Sequence, residues 1–123
     1  MVAYNFQGRF VPSIEAGRKT QTIRANGKRR HAKPGESLQL YTGMRTKACR
    51  KIVEVDPLCV AVLPVVIHYE LGIKVDGLWI TDADAREAIA AADGFESWIE
   101  MFRFFKTTHK LTFHGLLIKW EVA

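Results

Sequence analysis

The chain has 123 residues, 48% hydrophobic and 25% charged, a balance that suits one domain over residues 1–123 with a core that needs no covalent staples. The net charge of +5 is uneven: residues 1–51 hold 12 Lys/Arg against 2 Asp/Glu, and the remainder holds 6 against 11. The longest apolar run, residues 58–67, contains Pro64 and falls short of the ~18 residues of a membrane span, and the N-terminus lacks the form of a signal peptide, so a soluble cytoplasmic protein is expected.

Residues 2–10 place Tyr4, Phe6 and Phe10 among polar neighbours and read as a first strand or extended lead-in. A short helix is expected at Ser13 to Ala16, capped by Ser13 with Pro12 just outside and stopped by Gly17. Thr20 to Arg24 alternates and is β-branched, which predicts a strand with Thr20, Thr22 and Arg24 on one face. Lys19 then sits at a helix-to-strand junction, where its amine and the Thr22 hydroxyl can reach the mouth of one pocket. A solvated basic turn leading into an edge strand is the alternative reading of the same residues.

The loop from Ala25 to Lys33 contains the turn dipeptide Asn26-Gly27 and five basic or His residues, which suits phosphate contact as well as simple solvation. After the Pro34-Gly35 turn, Ser37 to Thr42 reads as a strand, with Tyr41 able to stack on a base. Lys47 to Val55 is expected to run back as its hairpin partner. Leu58 to Tyr69 reads as a strand buried on both faces, and Gly72 and Gly77 mark turns around a short extended piece.

Two helices follow. Thr81 with Asp84 forms a capping box before Ala83 to Ala92, and Gly94 ends that helix. Ser97 with Glu100 forms a second box, and Trp98, Met101, Phe102 and Phe105 make a core stripe at helical spacing. Leu111 to Val122 closes the chain as a strand, with Leu116, Ile118 and Trp120 on one face. With no βαβ alternation, repeat or glycine-rich phosphate loop, the class is α+β: a small β-barrel of about five to six strands, a short N-terminal helix and two helices before the last strand. Cys49 and Cys59 form no CxxC and no Cys/His cluster, so both read as reduced thiols; no metal and no cofactor is expected.

GRKTQTIR, with KPGESLQLYTG downstream, resembles the ASCH family, small domains related to the RNA-binding PUA fold. The family pattern G-x-K-T-x-T-x-R, then P-G-D/E before a strand, is filled by Gly17, Lys19, Thr20, Thr22, Arg24, Pro34, Gly35 and Glu36. Asp93-Gly94-Phe95 matches the acidic-Gly-Phe step before the family's last helix, so the resemblance spans nearly the whole chain. It implies a PUA-like barrel. It also implies an amidohydrolase that removes the acyl group from N4-acetylcytidine with a Lys, a Thr and a Glu. The first two fall on Lys19 and Thr22; the Glu falls on Asp93, one methylene shorter, with Glu96 and then Glu70 as the other carboxylates within reach of the pattern. Arg18, Thr20, Arg24 and Tyr41 are the expected substrate-binding residues.

Two further readings belong to other classes. The basic loop, Arg45, Lys47, Arg50 and Lys51 could hold RNA phosphates while Tyr41 or Trp79 stacks a base, with no chemistry done. A ribonuclease is the third, since some members of the family look like ribonucleases. The expected partner is a modified cytidine or cytosine, with RNA as the other candidate, no membrane, and a monomeric state.

Overall fold

The computed structural model describes residues 2–122. Strand β1 (Val2–Phe6) buries Val2, Tyr4 and Phe6 at alternate positions, as period-2 patterning requires. A 3₁₀ turn at Gly8–Phe10 runs straight into α1 (Val11–Glu15). The short helix therefore starts earlier than expected, with Pro12 inside its first turn, where a missing N–H is harmless. Ser13 is not its cap. Instead the Ser13 carbonyl accepts the N–H groups of Arg18 and Lys19 at 2.9 and 3.0 Å, a reversal made possible by Gly17 at φ +76°.

Strands β2 (Gln21–Ala25), β3 (Leu38–Thr42), β4 (Arg50–Lys51) and β5 (Leu58–His68) follow, then β6 (Gly72–Val75) and β7 (Leu78–Ile80). The hairpin partner expected over Lys47 to Val55 shrinks to β4. Local hydrogen bonds of the preceding turn, from Thr46 N–H to Gly43 O and from Cys49 N–H to Thr46 O, take its backbone away from the ladder. Nor is β5 buried on both faces: Cys59, Val65 and Ile67 are buried, whereas Leu58, Val60 and Pro64 are exposed. Pro64 is tolerated because the β6 ladder begins only at Val65.

Helix α2 (Ala83–Ala92) has the expected bounds, but its cap is Asp82, whose carboxylate accepts the Ala85 N–H at 2.8 Å. Helix α3 (Trp98–Thr108) is capped by Ser97, which accepts from Glu100 N–H at 3.1 Å. Met101 and Phe105 of its stripe are buried, and Trp98 and Phe102 half-buried. Strand β8 (Phe113–Glu121) lies between β2 and β5 and buries Leu117 and Ile118 almost completely.

The class is α+β, but the expected closed barrel of five to six strands does not form. Among the described residues, eight strands lie in two sheets, ordered β1-β3-β4 and β2-β8-β5-β6-β7. On one side the sheets are stitched by the Ser37–Leu58 bridge and by Cys59 N–H to Glu36 O at 2.8 Å. On the other side the edge strands β1 and β2 do not pair. There the Arg24 side chain, not a backbone group, bonds β1, donating to Asn5 O at 2.7 Å. The barrel stays split along this line. No helix among the described residues is long and apolar enough to cross a membrane.

Candidate active site

The split between β1 and β2 contains a cavity of about 300 Å³. Lys19, Thr22 and Arg24 reach it from the approach to β2 and from β2 itself, and Asp93 reaches it from the end of α2. Its apolar wall includes Phe6, Phe10, Phe95, Phe104 and Phe105. A planar ring of modest size fits such a wall, with the polar groups left to fix its orientation.

Lys19 is 2 % exposed and Asp93 4 %. The Lys19 ammonium donates to the Asp93 backbone carbonyl at 2.5 Å and stands 3.8 Å from the carboxylate oxygen Oδ1. Lys19 thus satisfies a carbonyl that the helix end leaves open, a favourable place for a cation. The ion pair itself is loose. Burial pulls the Lys19 amine down to about 8, against the attraction of Asp93 and with help from Arg24. Burial pushes Asp93 up to about 6, against the pull of Lys19, Gln21 and Arg24.

Thr22 Oγ accepts from Arg24 Nε at 2.9 Å, so these two residues do share a face, as the alternation predicted. Arg24 is held over the rings of Phe6 and Tyr4, at 4.8 and 5.1 Å from their centroids. Gly94, at φ +92°, packs against the stem of Lys19 and the ring of Phe10. A Cβ there would lie 2.9 Å from Lys19 Cδ and 3.0 Å from a Phe10 ring carbon.

Not every expected site residue arrives. Thr20 is fixed by its backbone, which bonds Ala92 O and Trp120 N–H, and it does not line the cavity. Arg18 lies with Glu96 on a separate surface groove. Tyr41 pairs across β3–β4 with Lys51 and stays outside. Glu70 is an exposed turn residue whose N–H bonds His68. Of the three carboxylates weighed, Asp93 is therefore the one that lines the cavity. Among the described residues, no group of three His, Cys, Asp or Glu could hold a metal.

Two residues escaped the sequence reading. Gln21 is buried, and its amide lies 3.4 Å from Asp93 Oδ1 and 3.5 Å from Ile89 O. An amide on the face opposite Thr20 and Thr22 in an alternating strand was the available signal. His109, where α3 ends, lines the cavity and packs on Phe105 and Phe113, and burial lowers its pKa. Nothing in its neighbourhood marked it in the sequence. Comparison with protein-family models, curated proteins and solved structures finds no match to this chain.

Proposed function

We propose that the protein is an amidohydrolase of the ASCH kind, removing the acyl group from N4-acylcytosine nucleosides such as N4-acetylcytidine. The observation that carries this reading is that Lys19, Thr22 and Asp93, up to 74 residues apart in sequence, line one cavity beside an aromatic wall. The G-x-K-T-x-T-x-R run and the Asp93-Gly94-Phe95 step support the family assignment and, with it, a PUA-like ancestry for the split barrel.

In the proposed reaction, Lys19 as the free amine takes the Thr22 hydroxyl proton while Oγ attacks the acyl carbonyl. An alcohol needs such a base at neutral pH, and the lowered affinity of Lys19 for protons suits it to the role. Arg24, bonded to Oγ, stabilises the developing alkoxide. The tetrahedral oxyanion collapses, the C–N4 bond breaks, and the proton held by Lys19 passes to the leaving N4, with Asp93 holding the ammonium in place. Water then attacks the Thr22 ester under the same base. The products are cytidine and a carboxylate.

The test is the ultraviolet absorbance of N4-acetylcytidine mixed with wild-type protein, beside Lys19→Ala and Thr22→Ala. The expected result is loss of the acylated chromophore with wild type alone. An unchanged spectrum at high protein concentration would overturn the hydrolase and leave RNA binding as the next reading to examine.

A further inference from the structure

A second cavity of about 380 Å³ lies farther along the same split. The two cavities share Asn5, Arg24 and Ala25 as lining residues, so they adjoin at Arg24. The first is walled by phenylalanines, and the second by cations: Arg24, Arg29, Arg30 and Arg45 line it beside His31, and no Asp or Glu does.

The basic wall is anchored to the fold. The Tyr4 hydroxyl accepts the Ala32 N–H at 3.1 Å and lies 3.0 Å from His31 Nδ1, while His31 Nε2 is 2.9 Å from Ala25 O. These contacts are all satisfied when His31 is neutral with its proton on Nε2: Tyr4 donates to Nδ1, and Nε2 donates to Ala25 O. Arg30 is committed to Glu36 through two bonds of 2.8 Å, and Lys33 N–H also bonds that carboxylate at 2.7 Å. Opposite this loop, Met44 N–H bonds the Asn5 side chain at 3.0 Å, which ties the Gly43–Thr46 turn to β1 and sets Arg45 at the rim. Among the described residues neither Arg29 nor Arg45 has an ion-pair partner. Two guanidinium groups thus line one anchored cavity whose described lining has no carboxylate.

We infer that this second cavity is a phosphate subsite, and that the ligand of the split is a cytidine bearing a phosphate ester on its ribose. The inference rests on the amidohydrolase reading for the base-binding half. A base against the phenylalanine wall would direct its sugar past Arg24, where Arg29 and Arg45 can form charge-assisted bonds to phosphate oxygens.

The test is equilibrium binding by calorimetry, independent of any hydrolysis. Cytidine 5′-monophosphate should bind about tenfold tighter than cytidine at low salt, with the preference shrinking as salt rises. The double variant Arg29→Gln/Arg45→Gln should erase the preference and leave cytidine affinity unchanged. The control Lys28→Gln/Lys47→Gln removes the same charge from the same two loops at positions outside the cavity, and should keep it. Equal affinity for nucleoside and nucleotide in wild type, or equal loss in both double variants, would overturn the subsite. A cytidine-containing dinucleotide that binds as tightly as the monophosphate would support the subsite and assign the phosphate to a strand; weaker binding would support it and assign a free nucleotide. A phosphate preference without hydrolysis of N4-acetylcytidine would sink the hydrolase alone, and hydrolysis without the preference would sink the subsite alone.

Discussion

Thr22 and Lys19 differ in what a substitution at each would reveal. Thr22→Ser keeps a hydroxyl where Arg24 Nε can reach it, so much of the proposed hydrolysis should survive. Thr22→Val keeps the shape and removes the nucleophile, and turnover of N4-acetylcytidine should fall by about 10³-fold or more. Full activity in Thr22→Val would show instead that water is the attacking group. Lys19 and Asp93 carry a second consequence, for stability. Asp93 has a folded pKa of about 6, above its ordinary 3.8, so the folded state binds the proton more tightly and stability falls as pH rises from about 4 through 6. Lys19 is lowered from 10.5 to about 8, so the unfolded chain binds more protons between those values and stability rises with pH across that window. These two groups therefore place a trough near pH 6 to 8. The double variant Lys19→Met/Asp93→Asn should be more stable than wild type at pH 7, by about 1–4 kcal/mol, and melt higher, while losing activity. A lower melting temperature at pH 7 would show that the pair contributes to stability instead of opposing it.

At the scale of elements, the end of α2 organises the site. Its last carbonyl meets Lys19, its carboxylate faces the cavity, and Gly94 provides the turn. Gly94→Ala forces a side chain into a left-handed conformation and against the stem of Lys19, so a loss of about 1–3 kcal/mol and displacement of the amine are expected. The checks are denaturant unfolding and the pH–rate profile; an unchanged profile with lowered stability would mean that Lys19 keeps its place. Gly94 was legible as the stop of α2 because a glycine just past the last helical residue is a local signal, whereas Asp93 entered as a site residue only through the family resemblance. The shift of the α2 cap from Thr81 to Asp82 was not, since either side chain can accept from the first turn and the entry angle of the preceding chain decides between them.

The molecule as a whole is centred on β8, which hydrogen-bonds to β2 on one side and β5 on the other. Its amides at Leu116 to Ile118 should exchange with solvent most slowly, and those of the short strands β4 and β7 fastest. Hydrogen exchange followed residue by residue tests this, and equal protection of β7 and β8 would contradict it. The uneven charge noted in the sequence resolves in two ways. Some of it pairs between the halves, as in Arg9 with Glu100, Lys19 with Asp93 and Lys51 with Asp56. Of the rest, Arg24, Arg29 and Arg45 line the second cavity, whereas Arg18 lies on a separate groove.

Periodicity and end signals, which act over a few residues, were enough to place α2, α3 and the long strands, and to put Thr22 and Arg24 on a common face. The pairing of Lys19 with the end of α2 joins residues 74 apart, and no local pattern encodes it. The split is likewise a tertiary outcome. Whether β1 and β2 close a barrel depends on what stands between them, and there Arg24 bonds a β1 carbonyl from its side chain, over the rings of Tyr4 and Phe6. The positions of Gln21 and His109 followed from the same packing. Alternation tells which face a side chain takes, but only the partner that covers that face decides whether it meets solvent, a core or a carboxylate.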